Sequence, residues 1–413
     1  MINDPEILIS GAGPAGVSTS LFLSKMKIPH MIIDKAVFPR DKICGDALSG
    51  KVVHVLNKID PEIISEFTTL SREYTGSYGI CFFAPNGKKL EVPFSMNPGI
   101  LKNAPGFISR RINFDNYIFK RLDRNYAQVE ENTELMDLEK TKEGVTVTLK
   151  RNNKTYQKKF KVIVGADGDR SIVSKKLNPV KKNLSNYCAA LRAYYTGVSN
   201  THENNFIELH FLKEILPGYF WIFPMNDGSA NIGIGMLSEV VAKKKINLRN
   251  KLDEIISTHP SIKDRFANAK LKGQVQGWGL PLGSERRKLS GDNFILTGDA
   301  GSLIDPFTGE GIGNALYSGM LAAETISKAI SVKQFDNKIL SEYETKLYYN
   351  LNKELSLSRG IQKLAHHAWL FNLVVNKARK NSMLRETMTC MFDDIDIRER
   401  LRKPSFYFKL LFN

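Results

Sequence analysis

Gly11, Gly13 and Gly16 stand in the spacing G-x-G-x-x-G within Ile9-Ser-Gly-Ala-Gly-Pro-Ala-Gly16. Residues without side chains at that spacing allow a tight turn, a close backbone approach to a pyrophosphate, and close packing of a helix on a strand. Glu6 to Ser10 reads as a short buried strand and Pro14 to Met26 as an apolar helix, so the helix start would present its amides to phosphate. His30-Met-Ile-Ile-Asp34 reads as the next strand and ends on an acid about 20 residues further on, where a ribose-binding carboxylate belongs. Ala15, beside Gly16, and Lys35, beside Asp34, are grouped with them as cofactor-binding. An acid at position 34 favours FAD or NAD over a 2′-phosphorylated dinucleotide. The competing reading is a tight turn that binds nothing.

Two later segments separate flavin from nicotinamide. Val164-Gly-Ala-Asp167-Gly-Asp-Arg170 is a strand end followed by a sharp polar turn, which adds Asp167 to the cofactor residues. Leu296-Thr-Gly-Asp299 ends a second strand, and Asp299 there is placed to accept hydrogen bonds from ribityl hydroxyls. The run Thr308-Gly309-Glu310-Gly311-Ile312-Gly313-Asn314 opens a helix, whose positive end and free amides suit the negative charge of a reduced flavin. Each segment alone reads as a capped turn. All three in this order point to FAD, held non-covalently, since no histidine or cysteine stands in an obvious linkage motif.

With these motifs the chain resembles the glutathione-reductase-like FAD superfamily of aromatic hydroxylases, flavin halogenases and geranylgeranyl reductases, over most of residues 5–330. It is most similar to the geranylgeranyl reductase family. Phe38-Pro-Arg40-Asp-Lys-Ile-Cys44-Gly45 looks like that family's cysteine segment beside the flavin. Tyr219-Phe-Trp221-Ile-Phe223-Pro224, followed by Gly233-Ile-Gly235, fits its Y-x-W-x-F-P and G-x-G pattern, as Gly309-Glu-Gly-Ile312 also suits it. A proline expected three places before the tyrosine stands two before it, as Pro217, with Leu216 in the expected place. Arg111 matches an arginine that such proteins direct toward FAD. Gly301 and Ser302 stand where hydroxylases carry a histidine. Only Trp221 and Pro224 agree with the halogenases' W-x-W-x-I-P.

The resemblance implies saturation of a C=C bond in an isoprenoid-type or other apolar lipid, with hydride from reduced FAD and a proton from an acid or ordered water. Cys44 and Gly45 become cofactor-proximal, with Cys44 as the catalytic candidate; a small buried thiol is the plainer reading. Tyr219, Trp221 and Phe223 alternate along one strand and share a face. That face is either core or the aromatic wall of a substrate pocket. Arg40 reaches a phosphate or caps the Asp41 turn. His366 and His367 sit on a helix-like segment without a spaced acid, so no metal site is expected. The alternatives are a monooxygenase or halogenase working through a flavin hydroperoxide, and a non-catalytic electron-transfer flavoprotein. Only one dinucleotide fingerprint is present, so electrons come from NAD(P)H binding transiently or from a separate reductase or ferredoxin.

These residues need a scaffold. The βαβ start implies a parallel sheet. Tyr78 to Val92, with Asn86-Gly87, reads as a hairpin. Val145 to Leu149 and Tyr156 to Val164 read as a further strand pair, and a β-rich stretch from Tyr187 to about Gly235 leads into a helix. Ile295 to Gly298 reads as a strand, Gly311 to Ile330 as a strong helix, and the chain from Ser341 as mostly helix, broken near Pro404. The expected class is α/β (α+β overall), a Rossmann-like FAD-binding domain from 1–75, 100–185 and 285–330. A β-rich substrate domain (76–99 and 186–284) is inserted, and 331–413 is a helical C-terminal region.

The 413 residues are 42% hydrophobic and 25% charged, an ordinary globular balance. Cys44, Cys81, Cys188 and Cys390 are scattered without a CxxC pair, which suits a reducing cytosol. The N-terminus lacks a signal-peptide pattern, and no apolar run approaches the roughly 20 residues of a membrane span. The expected location is cytoplasmic. The net charge of +16 reads either as lysine-rich solvated surface or as attraction to an anionic membrane face or substrate. The basic and apolar tail Lys403 to Phe412 would add to a peripheral contact at the inner membrane face. No nucleic-acid reader motif accompanies the charge, and oligomeric state is not legible.

Overall fold

The computed structural model describes residues 5–95 and 103–381. The Glu6–Ser10 segment forms the strand Ile7–Ser10, and His30–Ile33 pairs parallel to it. Val162–Gly165 lies parallel on its other side, followed by Phe294–Leu296, while Ala127–Glu130 extends the sheet beyond His30–Ile33. With Ser290–Gly291 pairing antiparallel at one edge, this makes a six-stranded sheet. Side chains along each strand alternate between its two faces. Ile7 and Ile9, with Val162 and Val164, pack toward the helices Pro14–Lys25 and Ile312–Ser331. Leu8, Met31 and Ile163 pack toward the opposite face.

That opposite face is covered by an antiparallel three-stranded sheet, Thr133–Thr141, Gly144–Arg151 and Lys154–Phe160. The reading of Tyr156 to Val164 as a single strand is therefore corrected. The chain leaves the small sheet at Phe160, passes Lys161, and enters the large sheet at Val162. The strand Thr133–Thr141, which carries Glu134, Asp137, Glu139 and Lys140, was not read from the sequence at all.

A seven-stranded sheet holds the hairpin Gly79–Phe83 and Lys89–Pro93 together with Tyr187–Thr196, Ile207–His210, Tyr219–Pro224, Ser229–Leu237 and Lys270–Pro281. Its centre is Tyr219–Pro224 against Ser229–Leu237, with every residue of the latter buried. The helices Glu342–Leu364 and Ala368–Lys380 end the described chain. His366 and His367 lie in the break between these two helices rather than on one. The tail from Lys403 to Phe412, and the break near Pro404, fall outside the described residues. Among the described residues, no helix is long and apolar enough to cross a membrane.

Candidate active site

Parallel strands bring every carboxyl end to one edge of a sheet, and a crevice opens where successive strands leave in opposite directions. Here Ile7–Ser10 lies between His30–Ile33 and Val162–Gly165. Gly11, Asp34, Asp167 and Asp299, far apart in sequence, therefore all follow strand ends at the same edge, and all four line one cavity of about 800 Å³. The cavity is also lined by Gly13, Ala15, Lys35, Arg40, Cys44, Gly45, Arg111, Gly309, Gly311 and Ile312. Tyr219, Trp221 and Phe223 line the same space. Gly16, Gly313 and Asn314 do not.

The turn after the first strand has the geometry that a pyrophosphate cradle needs. Gly11 has φ +100°, and a β-carbon on it would lie 2.4 Å from the Ala166 carbonyl oxygen. A β-carbon on Gly16 would lie 1.8 Å from the Gly11 carbonyl oxygen, so Gly16 serves the packing of helix on turn rather than the cavity wall. Gly13 caps the helix, and a β-carbon there would meet only an Arg40 nitrogen, at 3.6 Å, leaving its backbone open to a ligand. Asp34 secures the turn: its Oδ2 accepts from the Ala12 amide at 2.8 Å and its Oδ1 from Ala36 at 2.9 Å. A carboxylate has about four acceptor sites, so two remain for ribose hydroxyls. These features fit FAD: an open backbone beside a helix start, a ribose-facing acid, and a second acid at Asp299.

Several expected ligands are already engaged. Arg40 neither caps the Asp41 turn nor stands free, because its Nη1 donates to Asp115 Oδ2 at 2.6 Å. Arg111 donates twice to the same carboxylate, at 2.7 and 2.8 Å. Burial works against both charges of that pair, but the two arginines hold the Asp115 carboxyl below its usual range, and Asp115 raises Arg111. Cys44 stands beside the Arg111 guanidinium. Asp167 Oδ2 accepts from the Ile172 amide at 2.8 Å, and burial pushes this carboxyl up. Asp299 Oδ2 lies 3.4 Å from Lys42 Nζ.

The head of the helix Ile312–Ser331 differs from expectation. The Gly313 amide donates to Glu310 Oε1 at 2.6 Å, and the Gly309 amide to the Asp305 carbonyl at 3.0 Å. A side-chain carboxylate has claimed part of the expected amide cradle. Asn314 is likewise structural: its Nδ2 donates to the Leu303 carbonyl at 2.7 Å and its Oδ1 accepts from the buried Lys51. Lys51 also pairs with Glu354 at 3.1 Å, tying the turn to the C-terminal helix Glu342–Leu364.

The strand Tyr219–Pro224 splits its side chains as period-2 alternation demands. Phe220 and Ile222 fill one core, whereas Trp221 and Phe223 pack in another, with Tyr219 against it, on the cavity side. Tyr219 Oη donates to the Thr308 carbonyl at 2.5 Å, joining this wall to the glycine-rich turn. Trp221 Nε1 donates to Asn231 Oδ1 at 2.8 Å, and Asn231 Nδ2 donates to the Cys44 carbonyl at 2.9 Å and to Asp46 Oδ2 at 2.8 Å. Asp46, Tyr194, Arg192 and Asn231 were missed by sequence reasoning. The one available signal was Asp46 itself, an acid directly after Cys44-Gly45.

Comparison with known proteins agrees with this geometry. Residues 186–274, most of the seven-stranded sheet, match the model of the geranylgeranyl reductase catalytic domain. A digeranylgeranylglycerophospholipid reductase of Methanococcus vannielii is 32% identical over 368 residues, 87% of each chain. A digeranylgeranylglycerophospholipid reductase 3 of Methanosphaera stadtmanae is 30% identical, over 89% of this chain and 88% of that one. Among solved structures, a geranylgeranyl bacteriochlorophyll reductase-like protein of Thermoplasma acidophilum superposes with TM-score 0.76 at 23% identity, over 90% of each chain. A flavin-dependent brominase, Bmp2, has the same fold, with TM-score 0.75 at 20% identity over 94% of each. With a relative of such identity along nearly its whole length, the chain belongs to the geranylgeranyl reductase family of FAD-dependent oxidoreductases.

Proposed function

We propose that this enzyme saturates C=C bonds in the isoprenoid chains of a membrane-derived lipid. The observation that carries the reading is that the dinucleotide cradle and the aromatic wall line one continuous cavity. Bound FAD, once reduced, supplies hydride. The protein's own residues do the rest. Gly11, Gly13 and the helix start behind them receive the pyrophosphate, Asp34 the ribose, and Asp299 the ribityl hydroxyls. Arg111, buried and paired with Asp115, keeps a fixed positive charge beside Cys44. Tyr219, Trp221 and Phe223, with Ile80, Phe94, Ile207 and Leu209, give an apolar channel that orients a long hydrocarbon chain and excludes water. Cys44 lines the same cavity, and in this reading it meets the reacting carbons.

The electron donor in this reading is NAD(P)H binding transiently or a separate reductase or ferredoxin, and the enzyme meets its lipid at an anionic membrane face. The test is anaerobic reduction of the flavoprotein, incubation with isoprenoid lipids, and mass analysis of the product. A gain of two hydrogens per double bond is the expected result. A gain of oxygen or halogen in air, without saturation, would move the enzyme to hydroperoxide chemistry. Fast redox cycling without product would make it an electron carrier.

A further inference from the structure

Saturating an alkene requires one proton for every hydride, and neither the cofactor cradle nor the aromatic wall explains where it comes from. Asp46 lines the cavity two residues after Cys44, yet its side chain is closed to solvent. Its backbone has φ +69°, a region that side-chain-bearing residues rarely adopt, aspartate and asparagine excepted. The position is fixed by the Ser109 amide, which donates to the Asp46 carbonyl at 3.0 Å, and by the short strand Ala47–Leu48 that follows.

The two carboxyl oxygens differ. Oδ2 accepts from Tyr194 Oη at 2.6 Å and from Asn231 Nδ2 at 2.8 Å. Oδ1 is buried and has no hydrogen-bond partner in the protein. An ionised carboxylate would leave the lone pairs of Oδ1 unsatisfied in a dry site, which is costly. A neutral acid lowers this cost by removing the buried charge: Oδ2 acts as the carbonyl oxygen and the proton sits on Oδ1. That O–H then has no acceptor in the protein itself, and because Oδ1 is closed to solvent the side chain must turn toward the cavity to hand its proton on.

We infer that Asp46 is the acid of this cavity and delivers the proton that completes alkene reduction. The inference rests on the reductase reading above. In the step, the π bond is consumed and two C–H bonds form. One uses the hydride of the reduced flavin, which carries both electrons. The other uses the proton released as the Asp46 Oδ1–H bond breaks. Asp46 is left as a carboxylate, stabilised by Tyr194, Asn231 and the nearby guanidinium groups of Arg192 and Arg111, and is reprotonated from water when product leaves.

The groups around Asp46 support this use. Burial pushes its carboxyl up to about 6, against the lowering pull of Tyr194, Asn231, Arg192 and Arg111. Burial, with the charge of Asp46, holds the Tyr194 phenol protonated well above its usual range, so Tyr194 stays a donor. Arg192 and Arg110 lie 4.4 and 4.7 Å over the Tyr194 ring, and Arg192 is anchored to Asp41 at 2.8 Å. The Cys44 carbonyl shares the Asn231 amide with Asp46, which couples the acid to the cysteine loop.

The test compares wild type, Asp46→Asn and Asp46→Glu as FAD-loaded proteins. Infrared difference spectra of wild type against Asp46→Asn, without substrate, should show a protonated carboxyl band that titrates near pH 6. Its absence would overturn the proposal whatever the substrate. With substrate, wild-type kcat/KM should fall as pH rises through that value, because the acid form is required. Asp46→Asn should lose this limb and slow by about 10²–10⁴-fold with flavin content unchanged, and Asp46→Glu should recover part of the rate. An Asp46→Asn enzyme with wild-type rate and pH profile would also overturn it. Failure of wild type to saturate any lipid would instead count against the lipid reading, which the infrared titration does not depend on.

Discussion

At Gly16 a single methyl group decides whether the cofactor turn can form. A β-carbon there would lie 1.8 Å from a backbone oxygen, which no side-chain rotation can relieve. Gly16→Ala should therefore cost at least the roughly 1–3 kcal/mol of an overpacked core and abolish flavin retention. Thermal melting and the flavin-to-protein absorbance ratio read both effects. Asp299 tests the cofactor assignment more gently, because it lines the cavity and makes only a 3.4 Å contact to Lys42. Losing one charge-assisted bond to a ribityl hydroxyl is worth about 1.5–3 kcal/mol, so Asp299→Ala should weaken FAD binding roughly tenfold or more. A folded Asp299→Ala protein with unchanged affinity by fluorescence titration would remove Asp299 from the site.

Elements carry two further expectations. The strand Tyr219–Pro224 is tied to the Cys44 loop through Trp221 and Asn231, with Asn231 fully buried. Trp221→Phe keeps an aromatic wall but strands the Asn231 oxygen, a loss of about 1–3 kcal/mol in denaturant unfolding. The same change should alter the pH limb assigned to Asp46, since Asn231 also holds that carboxyl. The strand His30–Ile33 gives a pH signature. His30 bonds Ser20 Oγ at 2.6 Å and the Ile28 carbonyl at 2.9 Å, and burial lowers its pKa from 6.5 to about 4. A histidine depressed on folding contributes stability that is whole above pH 6.5 and lost as pH falls toward 4. The loss is about 3 kcal/mol at most. His30→Gln should flatten that slope in unfolding curves taken between pH 7 and 4. Asp46 has the opposite sign: its contribution is largest below its ordinary 3.8 and fades as pH rises through about 6.

At the scale of the whole molecule, 59 Lys and Arg against 43 Asp and Glu leave a net charge of +16. The helix Ala368–Lys380 presents Trp369, 66% exposed, and Leu373, 49% exposed, one turn apart, with Lys377 exposed on the following turn. An apolar pair followed by cations suits an anionic bilayer surface, where each well-placed cation contributes roughly 1 kcal/mol. The protein should float with anionic vesicles at low salt, release at high salt, and bind less after Trp369→Ala with Leu373→Ala. Equal flotation with neutral vesicles would remove charge from the explanation. Such a contact would bring the enzyme to a lipid substrate at the bilayer surface.

Local patterns carried the cofactor half of this enzyme. A strand, a glycine turn and a helix start are set by residues within a few positions of one another, so Gly11 to Gly16, Asp34, Asp167 and Asp299 were all legible as strand-end residues. The period-2 face of Tyr219, Trp221 and Phe223 was legible for the same reason. What sequence could not settle was which partners those side chains meet. Tyr156 to Val164 read as one strand because nothing local marks a change of sheet, yet pairing divides it at Lys161. That Arg40 and Arg111 both pair with Asp115 was not legible, and the Gly313 amide looked free until Glu310 folded back on it. The acid network is the clearest case. Asp46, Tyr194, Trp221 and Asn231 are polar or aromatic residues with no shared period, joined only because the central strands of the seven-stranded sheet pass beside the Cys44 loop. Short-range spacing follows from backbone geometry and can be read along the chain. Which buried oxygen is left without a partner depends on contacts between distant segments, and only the tertiary structure decides it.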